Sequence, residues 1–232
     1  FENDYAITPN PNLTPLVFPR YSISPSQLLI SLHELATFLN SWSLPDLPWD
    51  AAYPDRLYEV EYRVLLALFN GNGNDDEEPR LAVQPAGSYL SQSQSPSQRL
   101  GVILLHAMLL FIYTNLRETP VGGVLRARLL RRLRDALAAA ATTGDDLLLD
   151  DIVCTFPEEM LWVSLVGAAT AAAAPCGSIA SVHEQDLVPA ILSQIRLKHG
   201  LWQWEEARLY LRRMPTFTTD FRTGCIKALE EI

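Results

Sequence analysis

A chain of 232 residues, 48% of them apolar, can bury a sizeable core, and a single domain is expected. Its net charge of −9 and pI near 4.9 exclude a surface built for nucleic-acid backbones, which needs concentrated positive charge. Cys154, Cys176 and Cys225 stand far apart, at spacings that suit neither a secreted disulfide framework nor a zinc site. A reducing, intracellular setting follows, with no metal and no cofactor.

Residues 1–23 hold Pro9, Pro11, Pro15 and Pro19 without helical periodicity and read as an extended N-terminal arm. They are too polar and too proline-rich for a signal peptide, and a chain beginning at Phe1 reads as a piece of a longer protein. The body then runs over 24–232. Ser24 is a good N-cap with Pro25 at the first helical position, and Leu28, Leu32, Leu35 and Leu39 repeat on one face as far as about Trp42. Pro54 opens a second helix, lined by Leu57, Val60, Val64, Leu65 and Leu68 and stopped by Asn70-Gly71.

Residues 70–96 combine Gly71, Gly73, the acids Asp75 to Glu78 and a Ser-Gln run, too little apolar surface to offset chain entropy. A long, partly disordered loop is predicted there. From Ser97 onward the pattern is helical, with breaks at Thr119-Pro120, Thr143-Gly144, Phe156-Pro157, Pro175 to Ser178, Gly200 and Met214-Pro215. No segment shows the alternation of a half-buried strand, so the fold class is all-α: one irregular bundle of about seven to nine helices.

Leu100 to Leu116 carries no fixed charge and, at about 17 residues, reaches the lower limit for a membrane span. His106, Thr114 and Asn115 suit a buried central helix better than lipid, and no span is expected. In the next helix Leu129, Leu130, Leu133 and Leu137 share an arc, and the arginines between Arg126 and Arg134 form its solvated face rather than a nucleic-acid patch. Near the carboxyl end, Asp186 and Pro189 open a helix that Lys198, His199 and Gly200 close. Glu205, Glu206, Arg212 and Arg213 suit the two ends of a following helix, whose Trp204, Ala207, Leu211 and Met214 share a face.

Catalytic chemistry has no foothold in these patterns. His33, His106, His183 and His199 form no metal-binding pair, Gly71-Asn72-Gly73 is too short for a phosphate loop, and no cysteine or serine stands in a nucleophile motif.

The stretch Leu161-Trp162-Val163-Ser164-Leu165-Val166-Gly167-Ala168-Ala169, then Leu192 to Gly200, then Trp204-Glu205-Glu206 with Leu211-Arg212-Arg213, and loosely Ala228-Leu229-Glu230-Glu231, resembles one known arrangement. It is similar to the C-terminal part of the regulatory domain of fungal-specific transcription factors of the zinc binuclear cluster class. The likeness covers about a third of the chain, and departs from the family at Leu187-Val188, Gln203 and Met214-Pro215. The family's six-cysteine DNA-reading cluster has no counterpart in these residues.

That resemblance implies a nuclear, non-enzymatic regulatory domain that couples a small apolar ligand, or a partner protein, to transcriptional output. Some relatives sense sterols or other metabolites in a helical cavity, which implies a pocket here lined by His106, Met108, Phe111, Trp162 and Trp202. The alternatives are a scaffold that forms a homodimer or binds a co-regulator without a ligand and, less favoured, an all-α enzyme acting on an apolar substrate.

Overall fold

The computed structural model describes residues 16–17, 22–41, 53–70, 95–117, 123–141, 148–172, 187–201 and 203–230. Most of the arm at 1–23, residues 71–94 of the expected loop, the breaks at 119–120, 143–144 and 175–178, the Asp186 cap and Trp202 lie outside them, while Ser95 and Pro96 belong to the start of a helix. Among the described residues the fold is all-α. A two-residue antiparallel pair, β1 (Leu16–Val17) with β2 (Ser22–Ile23), precedes nine α-helices.

The helices are α1 (Pro25–Ser41), α2 (Tyr53–Asn70), α3 (Pro96–Phe111), α4 (Val124–Ala141), α5 (Leu148–Thr155), α6 (Pro157–Ala172), α7 (Leu187–His199), α8 (Trp204–Tyr210) and α9 (Thr219–Glu230). A π-helical turn, Ile112–Leu116, extends α3. The expected starts at Pro25 and near Pro54, and the stop at Asn70, match this order.

Helix α3 begins with a capping box. The Ser95 hydroxyl accepts from the Gln98 N–H and the Gln98 side chain accepts from the Ser95 N–H, while Pro96 takes the first helical position. From Arg99 to Phe111 every residue but Val102 is buried. The helix is long and apolar enough to cross a membrane, yet 89% of its most apolar window is covered by the rest of the fold. It packs against α1, α2, α4, α5 and α6.

Helix α6 is the second inner element, buried without interruption from Glu159 to Gly167. Pro157 cannot continue α5, and the chain turns through 111° between α5 and α6, with Phe156 buried at the corner. On its other sides α6 meets α7 and α9. The contact with α9 is close because Gly224 lacks a side chain: a Cβ placed there would lie 3.1 Å from the Ala169 Cβ.

Helix α7 ends as its sequence predicts. Gly200 adopts φ +67, and the Leu201 N–H reaches back to the Arg196 carbonyl at 3.2 Å, closing a Schellman-type cap. Helix α8 is shorter than expected, since Leu211 to Met214 form a turn and Arg212 and Arg213 lie beyond the helix. Pro215 disfavours helical geometry at Met214, so the helix does not resume there. Ala207, Leu211 and Met214 still point inward together.

Replacing Gly224 by valine should force α6 and α9 apart and cost about 1–3 kcal/mol. Chemical denaturation would read this as a lower midpoint with an unchanged slope.

Candidate functional site

Four of the five residues expected to line a ligand pocket can be placed. Met108, Phe111 and Trp162 have no exposed surface and His106 is 2% exposed; Trp202 is outside the described residues. The fold brings Phe111 of α3 and Trp162 of α6 together, with ring centroids 5.4 Å apart. Phe217 and Phe221 join them at 6.0 and 6.4 Å from Phe111, and Trp204 packs 6.1 Å from Phe217. The Trp162 indole N–H donates to the Pro215 carbonyl at 3.2 Å. Offset and edge-on ring contacts of this kind fill space and fix orientation, so these aromatics form a packed joint among α3, α6, α8 and α9.

On α3, Met108 lies one turn before Phe111 on the same side, whereas His106 is turned away from them. Burial, with the positive charge of Arg132 as a smaller contribution, pushes the His106 pKa down to about 4. The imidazole is therefore neutral at physiological pH.

Among the described residues, open volume lies at the surface between α1 and α2. A groove of about 290 Å³ has Leu35, Phe38, Tyr53 and Val60 as its floor, with Phe38 and Tyr53 stacked at 5.7 Å. Glu34, Arg56, Glu59 and Arg63 form the rim. An apolar floor inside a rim of mixed charge suits a small amphipathic molecule or one side chain of a partner. Burial pushes the Tyr53 phenol up to about 12, so it meets an occupant uncharged.

Beside this groove, on α2, Glu61 is buried and both of its carboxylate oxygens are engaged. Oε1 accepts from the Tyr113 hydroxyl and Oε2 from the Arg117 guanidinium. Burial and then the Glu61 hydrogen bond push Tyr113 up to about 12. Arg117 also sits 4.4 Å above the Tyr58 ring and 5.6 Å from that of Tyr113. A carboxylate held this way is a structural bond between α2 and the π-helical turn rather than a general base.

The same turn reaches further. Asn115 Oδ1 accepts from both the backbone N–H and the hydroxyl of Thr218, each at 2.9 Å, just before α9. Arg126 of α4 donates to the Thr114 carbonyl at 3.3 Å. Winding that is wider than α-helical frees backbone carbonyls and re-aims side chains, and here it turns the end of α3 into a polar junction with α2, α4 and α9.

Sequence reasoning singled out Phe111 and Trp162 but not Glu61, Phe217 or Phe221. A signal for Glu61 was present: it falls beside Leu57, Val60 and Val64 on the helical face that turns inward, where a carboxylate demands a partner. The outward face of α2 carries a second unread signal. Tyr58, Tyr62 and Phe69 recur there at helical spacing and are 59%, 65% and 67% exposed, where a solvated helix is ordinarily polar.

Among the described residues no three His, Cys, Asp or Glu side chains gather closely enough to hold a metal ion. Comparison of the chain with protein-family models, curated proteins and solved structures found no match.

Because the folded chain resists protonating His106 until about pH 4 while the unfolded chain accepts a proton near 6.5, stability is complete above 6.5 and falls between the two values. The loss attached to this group is on the order of 3 kcal/mol. His106→Leu should flatten that part of the acid limb, seen by comparing urea midpoints of the two proteins at neutral pH and near pH 4. Asn115→Ala leaves the Thr218 donors without their acceptor and should cost about 1–3 kcal/mol. Hydrogen exchange at the Thr218 amide would report it.

Proposed function

We propose that this chain is the regulatory part of a fungal-specific transcription factor, a non-catalytic helical domain that acts in the nucleus and relays a surface signal to a separate DNA-binding module. The observation that carries the reading is the linkage of the three resembling segments. The Trp162 segment lies in α6, the glycine-terminated segment is α7, and Trp204-Glu205-Glu206 opens α8. Helix α6 packs directly on α7, and the Trp162 indole holds the Pro215 carbonyl just after α8.

With Met108, Phe111 and Trp162 buried in the core, this reading places the contact point at the surface. A small amphipathic effector would lie in the α1/α2 groove. The exposed Tyr58, Tyr62 and Phe69 favour the scaffold version of the same role, in which a co-regulator or second copy covers α2.

Tethered to an unrelated DNA-binding domain upstream of a reporter gene in a fungal host, the chain should change reporter output severalfold. Tyr62→Ala combined with Phe69→Ala should blunt that change, although each substitution alone should alter stability by no more than about 0.5 kcal/mol because both side chains are exposed. A folded, nuclear fusion that leaves the reporter at its basal level would remove the proposal.

A further inference from the structure

We infer that Cys154 and Lys198 form an oxidative cross-linking site, at which a hydroperoxide joins α5 to α7 through a sulfur–nitrogen bond. The two helices meet along two rungs, each one helical turn apart on both sides. Gln194 Nε2 donates to Asp150 Oδ1 at 3.0 Å, and Lys198 Nζ donates to Cys154 Sγ at 2.8 Å. Both rungs lie on the same faces of α5 and α7, so the Gln194–Asp150 bond supports the register that brings the amine to the sulfur.

Both partners are open to solvent, and Cys154 is a free thiol. Cys225 provides a built-in contrast. It is fully buried, and burial pushes its thiol well above the ordinary range, so it is inert to a solvent oxidant. Cys176 lies outside the described residues.

The chemistry closes in two steps. In the first, the Cys154 sulfur attacks a hydroperoxide, the O–O bond breaks, and the thiol becomes a sulfenic acid as the peroxide is reduced to an alcohol or water. In the second, Lys198 gives up its ammonium proton, its nitrogen lone pair attacks the sulfur, and the S–O bond breaks. The departing hydroxide takes a proton and leaves as water. The product is a sulfenamide, lighter than the starting protein by two hydrogens, and a thiol reductant returns both side chains. Placement of the amine beside the sulfur lets this step compete with reaction at outside thiols.

The bond would staple α5 to α7, across 44 positions of chain, beside the α6/α7 contact. Such a closure stabilises by restricting the unfolded chain. A regulatory body carrying it would respond to oxidant through α5 and α7, elements that do not line the α1/α2 groove.

The folded full chain would be treated with hydrogen peroxide, digested and mapped by mass spectrometry. A reducible peptide pair joining Cys154 to Lys198, lighter by two hydrogens, is expected. In denaturant its yield should fall on the order of tenfold or more, since the effective concentration of the amine depends on the fold. Lys198→Arg keeps the charge but lacks the nucleophile; it should still let a 1,3-dione probe trap the sulfenic acid at Cys154, with no cross-link. The oxidised wild type should melt several degrees higher than its reduced form, an increment absent in Lys198→Arg. A cross-link of equal yield in denaturant, a disulfide from Cys154 to Cys176 as the main product, or the same loss of two hydrogens in Lys198→Arg would each overturn the inference.

Discussion

Helix α3 has no polar face from Arg99 to Phe111, and that constraint organises the rest of the chain. A helix that is apolar on every side gains stability only when other helices cover it on every side, at roughly 25 cal/mol for each Å² withdrawn from water. Helices α1, α2, α4, α5 and α6 supply the cover, each turning apolar residues inward, with Glu61 of α2 and Glu159 of α6 buried beside them. Helix α6 is the only one of these buried almost as completely along its own inner run. It needs a second ring of neighbours, which α7 and α9 provide. The bundle is therefore built outward in two stages, with the Phe111–Trp162 contact at the joint between them.

Covering α3 leaves the polar groups at its C-terminal end to be satisfied inside the fold, where an unpaired donor or acceptor costs about 1–3 kcal/mol. The π-helical turn meets much of this demand by directing its polar groups to three neighbours. Tyr113 and Arg117 go to Glu61 of α2, Asn115 goes to Thr218 ahead of α9, and the Thr114 carbonyl goes to Arg126 of α4. Apolar contacts hold the helices together without direction; these hydrogen bonds add direction and so fix how α2, α4 and α9 approach one end of α3.

How much of this could be read from the residues depends on whether the physics was local. Starts at Pro25 and Pro54, the arc of Leu129, Leu130, Leu133 and Leu137, and the Gly200 stop are set by residues within a turn of one another, and each expectation matches the structure. Helix α8 ends at Tyr210, short of the expected break at Met214-Pro215, so Arg212 and Arg213 fall in the turn that follows. The interior partners were harder. Phe111 and Trp162 are 51 positions apart in sequence, and only the family resemblance named them together, as pocket-lining residues; Phe217 and Phe221 sit in a stretch without periodicity strong enough to mark them. The α1/α2 groove leaves no pattern at all, since it is the space between two helices whose inward faces look like any other core.

That groove and the filled interior together constrain how any signal could act. A ligand shifts a conformational equilibrium only by the difference between its interactions with the two states. An occupant of the interior would have to displace Phe111 or Trp162, giving up several kcal/mol of packing before gaining anything. An occupant of the groove meets Tyr53, Val60 and Arg63 on α2 without disturbing the core, and α2 carries Glu61, whose bonds to Tyr113 and Arg117 are the directional link to the end of α3. A small rotation of α2 would strain those bonds, because hydrogen bonds to a buried carboxylate tolerate little change in angle, whereas the apolar contacts beside them would slide. Under the proposed role, α2 is thus the helix through which a surface contact has the shortest physical route inward.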